Sequence, residues 1–200
     1  SVDAAMKAAQ AGDTVAIFAG CYEQDLNVNK DITVVGETTE TGYQLVEIFG
    51  KLNITADGAT VKGLYVYNED NAAYIGAKDV LVEGCEIASG KSAFRYCYTD
   101  GTVTFENSTI AGSVYGIHFD GSANGNIVIK NCKIQGWTSF ASTINKVTIS
   151  GGEPLMQIDF VEQVLKNLKD NWSPVFCFQD GSEAVEQLLQ MGANPITRDE

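Results

Sequence analysis

One phrase recurs along this chain, and it constrains the fold more than any other feature. "VTFENSTIAG" at Val103–Gly112 returns as "IVIKNCKIQG" at Ile127–Gly136, as "VLVEGCEIASG" at Val80–Gly90 and, more loosely, as "ATVKGLYVYN" at Ala59–Asn68. "ITVVGE" at Ile32–Glu37 and "VTISGG" at Val147–Gly152 carry its first half. Anchored on the second apolar residue, the copies fall at Val34, Val61, Val82, Phe105, Ile129 and Ile149, spaced 27, 21, 23, 24 and 20 residues apart. A unit this short cannot bury its apolar face alone. Its copies must stack into a solenoid.

The content of the phrase says what the solenoid is made of. Alternation with period two, β-branched residues, and Gly or Asn after each short run give strands and tight turns. No helical pattern interrupts residues 14–150. Counting 10 to 13 residues beyond the anchors reaches Tyr74, Phe94, Tyr115 and Phe140. This predicts an internal aromatic ladder with rungs about 4.8 Å apart. Leu64, Cys85, Ser108 and Cys132 predict a second ladder of mostly small residues.

The stretch "AAMKAAQAGDTVAIFAGCYEQDLNVNKDITVVGE" at Ala4–Glu37 resembles the N-terminal cap and first coil of right-handed parallel β-helix proteins of the pectin-lyase-like superfamily. The later coils look most like β-helix domains of secreted or surface proteins of anaerobic bacteria. The resemblance covers residues 1–150 and implies an all-β, right-handed parallel β-helix whose first coil is plugged by a short amphipathic helix. It implies little about activity, because this superfamily hosts lyases, hydrolases, adhesins and inert stalks.

Charge narrows the partners. A net charge of −13 argues against nucleic acid, which needs a basic footprint, and against a bare polyanion unless a cation intervenes. No run approaches eighteen apolar residues, so no membrane insertion is expected. Beginning at Ser1, the chain reads as a mature or trimmed fragment. The expected setting is secreted or cell-surface, and the expected state a monomer. The five cysteines (Cys21, Cys85, Cys97, Cys132 and Cys177) show no C-x-x-C spacing, so no zinc or cluster site is readable. Cys85 and Cys132, two rungs apart, would stand about 9 to 10 Å from each other, beyond disulfide reach.

Composition changes near residue 150. All three prolines, Pro154, Pro174 and Pro195, follow it. Ile158–Lys169 reads as an amphipathic helix, "SPVFCF" as one more strand, and "DGSEAVEQLLQMG" as a second helix with Ser182 as N-cap and Gly192 just past its end. Two units follow: a β-helix domain over 1–150 and a small helical (α/β) appendage over 151–200, either a cap or a fused fragment. "VTISGGEPLMQIDFVEQVLKNLK" is similar to the Gly-Gly-Glu region of radical SAM activating enzymes, which places Gly151, Gly152 and Glu153 on the residues that contact S-adenosylmethionine there. The C-x-x-x-C-x-x-C cluster motif of that family is absent from the chain. Without those thiolates no radical chemistry is expected.

Two sets of residues compete for a function. Arg95 and His118 are the candidate catalytic pair, and Asp100 and Asp120, in comparable turns one coil apart ("TDGTV" and "FDGSANG"), are candidate ligands of a shared Ca²⁺. Both turns also carry the commonest tight-turn signal, Asp-Gly. Pectate lyases of this fold use such groups, so a Ca²⁺-assisted polysaccharide lyase is one reading. Tyr65, Tyr67, Tyr98 and Trp137 lie in or beside strand phrases, where outward rings can stack on sugars. The favoured reading is therefore a binding or scaffold module without catalysis or cofactor, carbohydrate-recognising or adhesin-like, whose partner is a carbohydrate or another surface protein. A rigid spacer is the third.

The open last coil of a solenoid needs a cover. The helix over Ile158–Lys169 is expected to supply it through Ile158, Val161, Leu165 and Leu168. Truncation after Ser150 is then expected to cause aggregation or lower the melting temperature by several degrees. A shortened chain that stays monomeric and equally stable removes the cap assignment.

Overall fold

The computed structural model describes residues 1–120, 124–139 and 146–150, together with the strands Val175–Phe178 and Asn194–Thr197. Each complete coil supplies three short strands. The first strands (Thr14–Ile17, Thr33–Gly36, Thr60–Lys62, Val80–Glu83, Thr102–Glu106, Asn126–Lys130 and Lys146–Ser150) pair in parallel and in chain order. The second strands run Gly20–Tyr22, Val46–Phe49, Leu64–Asn68 and Glu86–Ser89, and the third Leu26–Val28, Leu52–Ile54, Asn71–Ile75 and Ser92–Cys97. In the fifth coil one long strand, Thr109–Phe119, pairs with both lines and fuses them into a second sheet. Lys133–Ser139 pairs onto it. The result is a parallel β-helix.

The six anchors fall into one column. Val34 lies opposite Val61, Val61 opposite Val82, Val82 opposite Phe105, Phe105 opposite Ile129, and Ile129 opposite Ile149. Further interior columns run Ile48, Val66, Ile87, Ile110, Ile134 and Leu26, Leu52, Ala73, Phe94, Ile117. All of these except Ile149, whose side chain lies outside the described set, are buried. Fully burying one such side chain stabilises by roughly 1.5–3 kcal/mol. The column supplies the driving force, and the strand hydrogen bonds fix its spacing.

From the third to the sixth coil, the residue after the first strand bends backwards. Gly63 and Gly84 take φ values of 66° and 59°, and Asn107 and Asn131 both 51°. Only Gly, or Asn at small cost, enters this left-handed region readily, which is why the phrase carries Gly or Asn at this place. Asn131 Nδ2 donates to Asn107 Oδ1 at 3.2 Å, tying the corners of two coils together. Leu64, Cys85, Ser108 and Cys132 follow these corners and are all buried, as the ladder of small residues requires. Ser108 Oγ accepts from the backbone N–H of Cys85 at 3.1 Å. Cys21, Cys85, Cys97 and Cys132 are free thiols.

The 27-residue interval after Val34 holds an excursion closed by an antiparallel bridge between Thr38 and Gln44. At the N-terminal end the helix Val2–Ala8 starts on the Ser1 side chain and buries Val2 and Met6. Lys30 Nζ donates to the carbonyls of Met6, Lys7 and Ala9 at 3.1, 2.7 and 2.6 Å, placing a cation where the helix dipole favours one. At the other end, Val175–Phe178 pairs in parallel with Lys146–Ser150, and Asn194–Thr197 pairs with Val175–Phe178. "SPVFCF" is thus a strand that extends the first sheet. The strand over Asn194–Thr197 has no counterpart in the sequence reading. The expected helix over Ile158–Lys169, the second helix, Gly151–Glu153 and Phe140 lie outside the described residues.

The aromatic ladder is corrected. Phe94 is fully buried and stands edge-on to Phe105, with centroids 5.0 Å apart. Tyr115, however, packs against Arg95 and His118 on the outside of the coil, and its register partner is Ser92 rather than Phe94. Tyr74 lies opposite Asn53 and meets Tyr98. The offsets are 13, 12, 10 and 11 residues, and the register shifts between Ala111 and Tyr115 and again between Tyr115 and Ile117, which breaks the alternation such a count relies on.

Phe94→Ala is expected to cost about 3–5 kcal/mol in denaturant unfolding, because it empties a core position. Tyr115→Ala is expected to cost clearly less. Equal losses would return Tyr115 to the interior.

Candidate functional site

The third-strand face of the fourth and fifth coils carries a group of polar and aromatic side chains in mutual contact. Its origin is a register defect. Between Phe94 and Cys97 stand two residues, Arg95 and Tyr96, while between their partners Ile117 and Phe119 stands only His118. This is a β-bulge, which places two consecutive side chains opposite one. Tyr96 consequently has φ of 54°, a region costing a bulky residue on the order of 1–3 kcal/mol and tolerated only where its surroundings enforce it.

The surroundings are specific. The Arg95 guanidinium carbon lies 4.0 Å from the centroid of the Tyr96 ring and 4.3 Å from that of Tyr115. One terminal nitrogen of Arg95 donates to Tyr96 Oη at 2.9 Å, and the other is 2.7 Å from His118 Nδ1. Arginine keeps its protons at any ordinary pH. His118 Nδ1 must therefore accept, which makes the imidazole neutral with its proton on Nε2. The His118 ring stacks on Tyr115 at 4.9 Å with 19° between planes. Burial, and then the Arg95 charge, hold His118 below its ordinary pKa of 6.5, while Asp120 pulls the other way.

Trp137 lies opposite Tyr115 one coil further on and is 62% exposed. Tyr98, 42% exposed, stands edge-on to Tyr74 at 5.6 Å. Burial and a hydrogen bond with Tyr98 push the Tyr74 phenol up, so that phenol keeps its proton. The guanidinium is already donating, and His118 Nδ1 is occupied. The group is well furnished with donors and ring faces, and the carboxylate that acts on His118 is that of Asp120.

The candidate residues are thus regrouped. Arg95 and His118 are brought into direct contact, with Tyr96 and Tyr115 as partners that sequence reasoning missed: Tyr96 was passed over and Tyr115 assigned to the interior. Tyr65 and Tyr67 lie apart, on the outer side of a second strand, where Phe49 stands edge-on to each at 6.4 Å. Asp100 and Asp120 do not occupy equivalent turns. Positions 98–101 separate Cys97 from Thr102, whereas positions 120–125 separate their partners Phe119 and Asn126. Asp120 therefore follows Phe119 at the place of Tyr98, and Asp100 lies two residues further along its own turn. Asp100 pairs instead with Lys78 at 3.2 Å. Among the described residues no group of three or more His, Cys, Asp and Glu side chains could hold a metal ion, and no helix is long and apolar enough to cross a membrane.

A family model described as a right-handed beta helix region matches residues 29–151. No curated protein and no solved structure matches the chain.

Because the chain has a single histidine, the Arg95–His118 contact can be read directly. A depressed folded-state pKa means that the contact's contribution is complete above about 6.5 and is lost as pH falls through the folded value. The imidazole resonances are expected to titrate below 6.5, and Arg95→Gln to move that titration upward. Titration at or above the ordinary value would contradict the arrangement.

Proposed function

Because the chain belongs to the right-handed β-helix family, with the match spanning most of the solenoid, we propose that it is a non-catalytic binding module of a secreted or cell-surface protein, and that its third-strand face takes a carbohydrate. The observation that carries this reading is the bulge at Arg95–Tyr96. It holds a strained tyrosine and a guanidinium outside the core, next to Tyr115, His118 and the exposed Trp137.

The chemistry fits a polyhydroxylated ring. The Arg95 guanidinium, besides meeting His118, Tyr96 and Tyr115, has N–H donors to spare for acceptors, and His118 Nε2–H adds another. Tyr96 and Trp137, 56% and 62% exposed, present aromatic faces on which the C–H face of a sugar can rest. The preference over a lyase rests on proton bookkeeping. Eliminating across a sugar ring requires a group that takes up a proton, and here Arg95 is charged and His118 Nδ1 is committed.

A glycan array run with and without Ca²⁺ tests the assignment, with hits followed by calorimetry and by absorbance of unsaturated products. At least one glycan is expected to bind without releasing such products, and Trp137→Ala and Tyr96→Ala are each expected to weaken it by roughly tenfold. Unsaturated product would replace this reading with the lyase. A blank array, or hits indifferent to both substitutions, would leave the face without a sugar.

A further inference from the structure

A second outer face has the opposite chemistry. On the second strands of coils two to four, Glu47 lies opposite Tyr65 and Tyr65 opposite Glu86, while Phe49 lies opposite Tyr67 and Tyr67 opposite Ala88. Their strand neighbours Val46, Ile48, Leu64, Val66 and Ile87 are buried, so these six point outward. The Phe49 ring stands edge-on to Tyr65 and Tyr67, at 61° and 67°, and is 43% exposed. The two carboxylates bracket Tyr65, one rung to either side. Among the described residues neither forms an ion pair, and Glu47 accepts only from Cys21 Sγ, at 2.9 Å. Ala88 and, beyond it, Ala111 leave open floor beside Tyr67.

Independently of the carbohydrate reading, we propose that this face is a docking site for a basic protein partner, which lays a lysine side chain against Phe49, Tyr65 and Tyr67 with its ammonium between Glu47 and Glu86. Ring faces attract an ammonium through their quadrupole, and the attraction grows as water is excluded. Glu47 and Glu86 stand about 10 Å apart across two rungs with Tyr65 between them, so an ammonium lying over that ring has a carboxylate on either side. The two carboxylates already act on the ring between them: burial, then Glu86 and Glu47, raise the Tyr65 phenol. The chain's net charge of −13 steers basic partners toward it. The Arg95 face, by contrast, presents a cation and would repel the same side chain.

The test uses a lysine-bearing peptide and its lysine-to-norleucine counterpart, followed by tyrosine fluorescence and calorimetry on the full chain. The lysine peptide is expected to bind, and the norleucine peptide at least about tenfold less tightly. Phe49→Ala, which changes no charge, and the pair Glu47→Gln/Glu86→Gln are each expected to weaken binding by a similar factor. The charge-matched control Glu40→Gln/Asp100→Asn is expected to leave it nearly unchanged, and Trp137→Ala, on the sugar-binding face, to have no effect. Equal losses in the control would show attraction to net charge alone and overturn the site. So would equal binding of the norleucine peptide or indifference to Phe49→Ala. Loss with Trp137→Ala would place the peptide on the other face.

Discussion

In a parallel β-helix the backbone N–H and C=O groups of each strand are satisfied by the coils on either side, so each coil must repeat the alternation of its neighbour at the same place. This registry governs everything else in the molecule. The Val34–Val61–Val82–Phe105–Ile129 column is its clearest expression. Coils can differ in length only where the chain leaves the ladder, as between Thr38 and Gln44. Turning from the first strand to the second without losing register takes a left-handed residue, supplied by Gly63, Gly84, Asn107 and Asn131. The open end of the first coil is occupied by a helix held through Lys30.

The same constraint decides what could be read from the sequence. The anchors and the Leu64–Cys85–Ser108–Cys132 column were legible because they lie within one uninterrupted phrase, where counting preserves parity. The aromatic column was not, because the count from anchor to third strand crosses two corners of variable length. Phe94 survived that count and Tyr115 did not. The same weakness misaligned Asp100 and Asp120, whose turns share the Asp-Gly signal but differ by two residues in length. Arg95 and His118 were found because each is rare in the chain. Tyr96 was missed because its outward position depends on a bulge, and a bulge is a relation between two coils that neither states alone.

The bulge matters for a second reason. Registry makes the interior nearly invariant in character, so a β-helix can change function only on its outward half. A local departure from registry is the main way to bring two adjacent side chains to the same side. At Arg95–Tyr96 the departure is stabilised by the guanidinium, which holds Tyr96, Tyr115 and His118 at once. Cation–π contacts of this kind contribute about 0.5–2 kcal/mol each, enough in combination to offset the strain at Tyr96.

Outward residues obey the register too, and at about 4.8 Å per rung a column of like charges is costly. Glu83 and Glu106 are neighbours in such a column, and Lys62 and Lys130 bracket them with ion pairs of 2.7 and 2.9 Å. The acidic rungs beside Tyr65 are arranged otherwise. Glu47 and Glu86 are separated by an aromatic rung and, among the described residues, carry no bracketing lysine. Separation lowers their mutual repulsion but leaves both charges in place beside a ring. In the first column the molecule neutralises itself, whereas in the second, among the described residues, it leaves a negative field open to a cation.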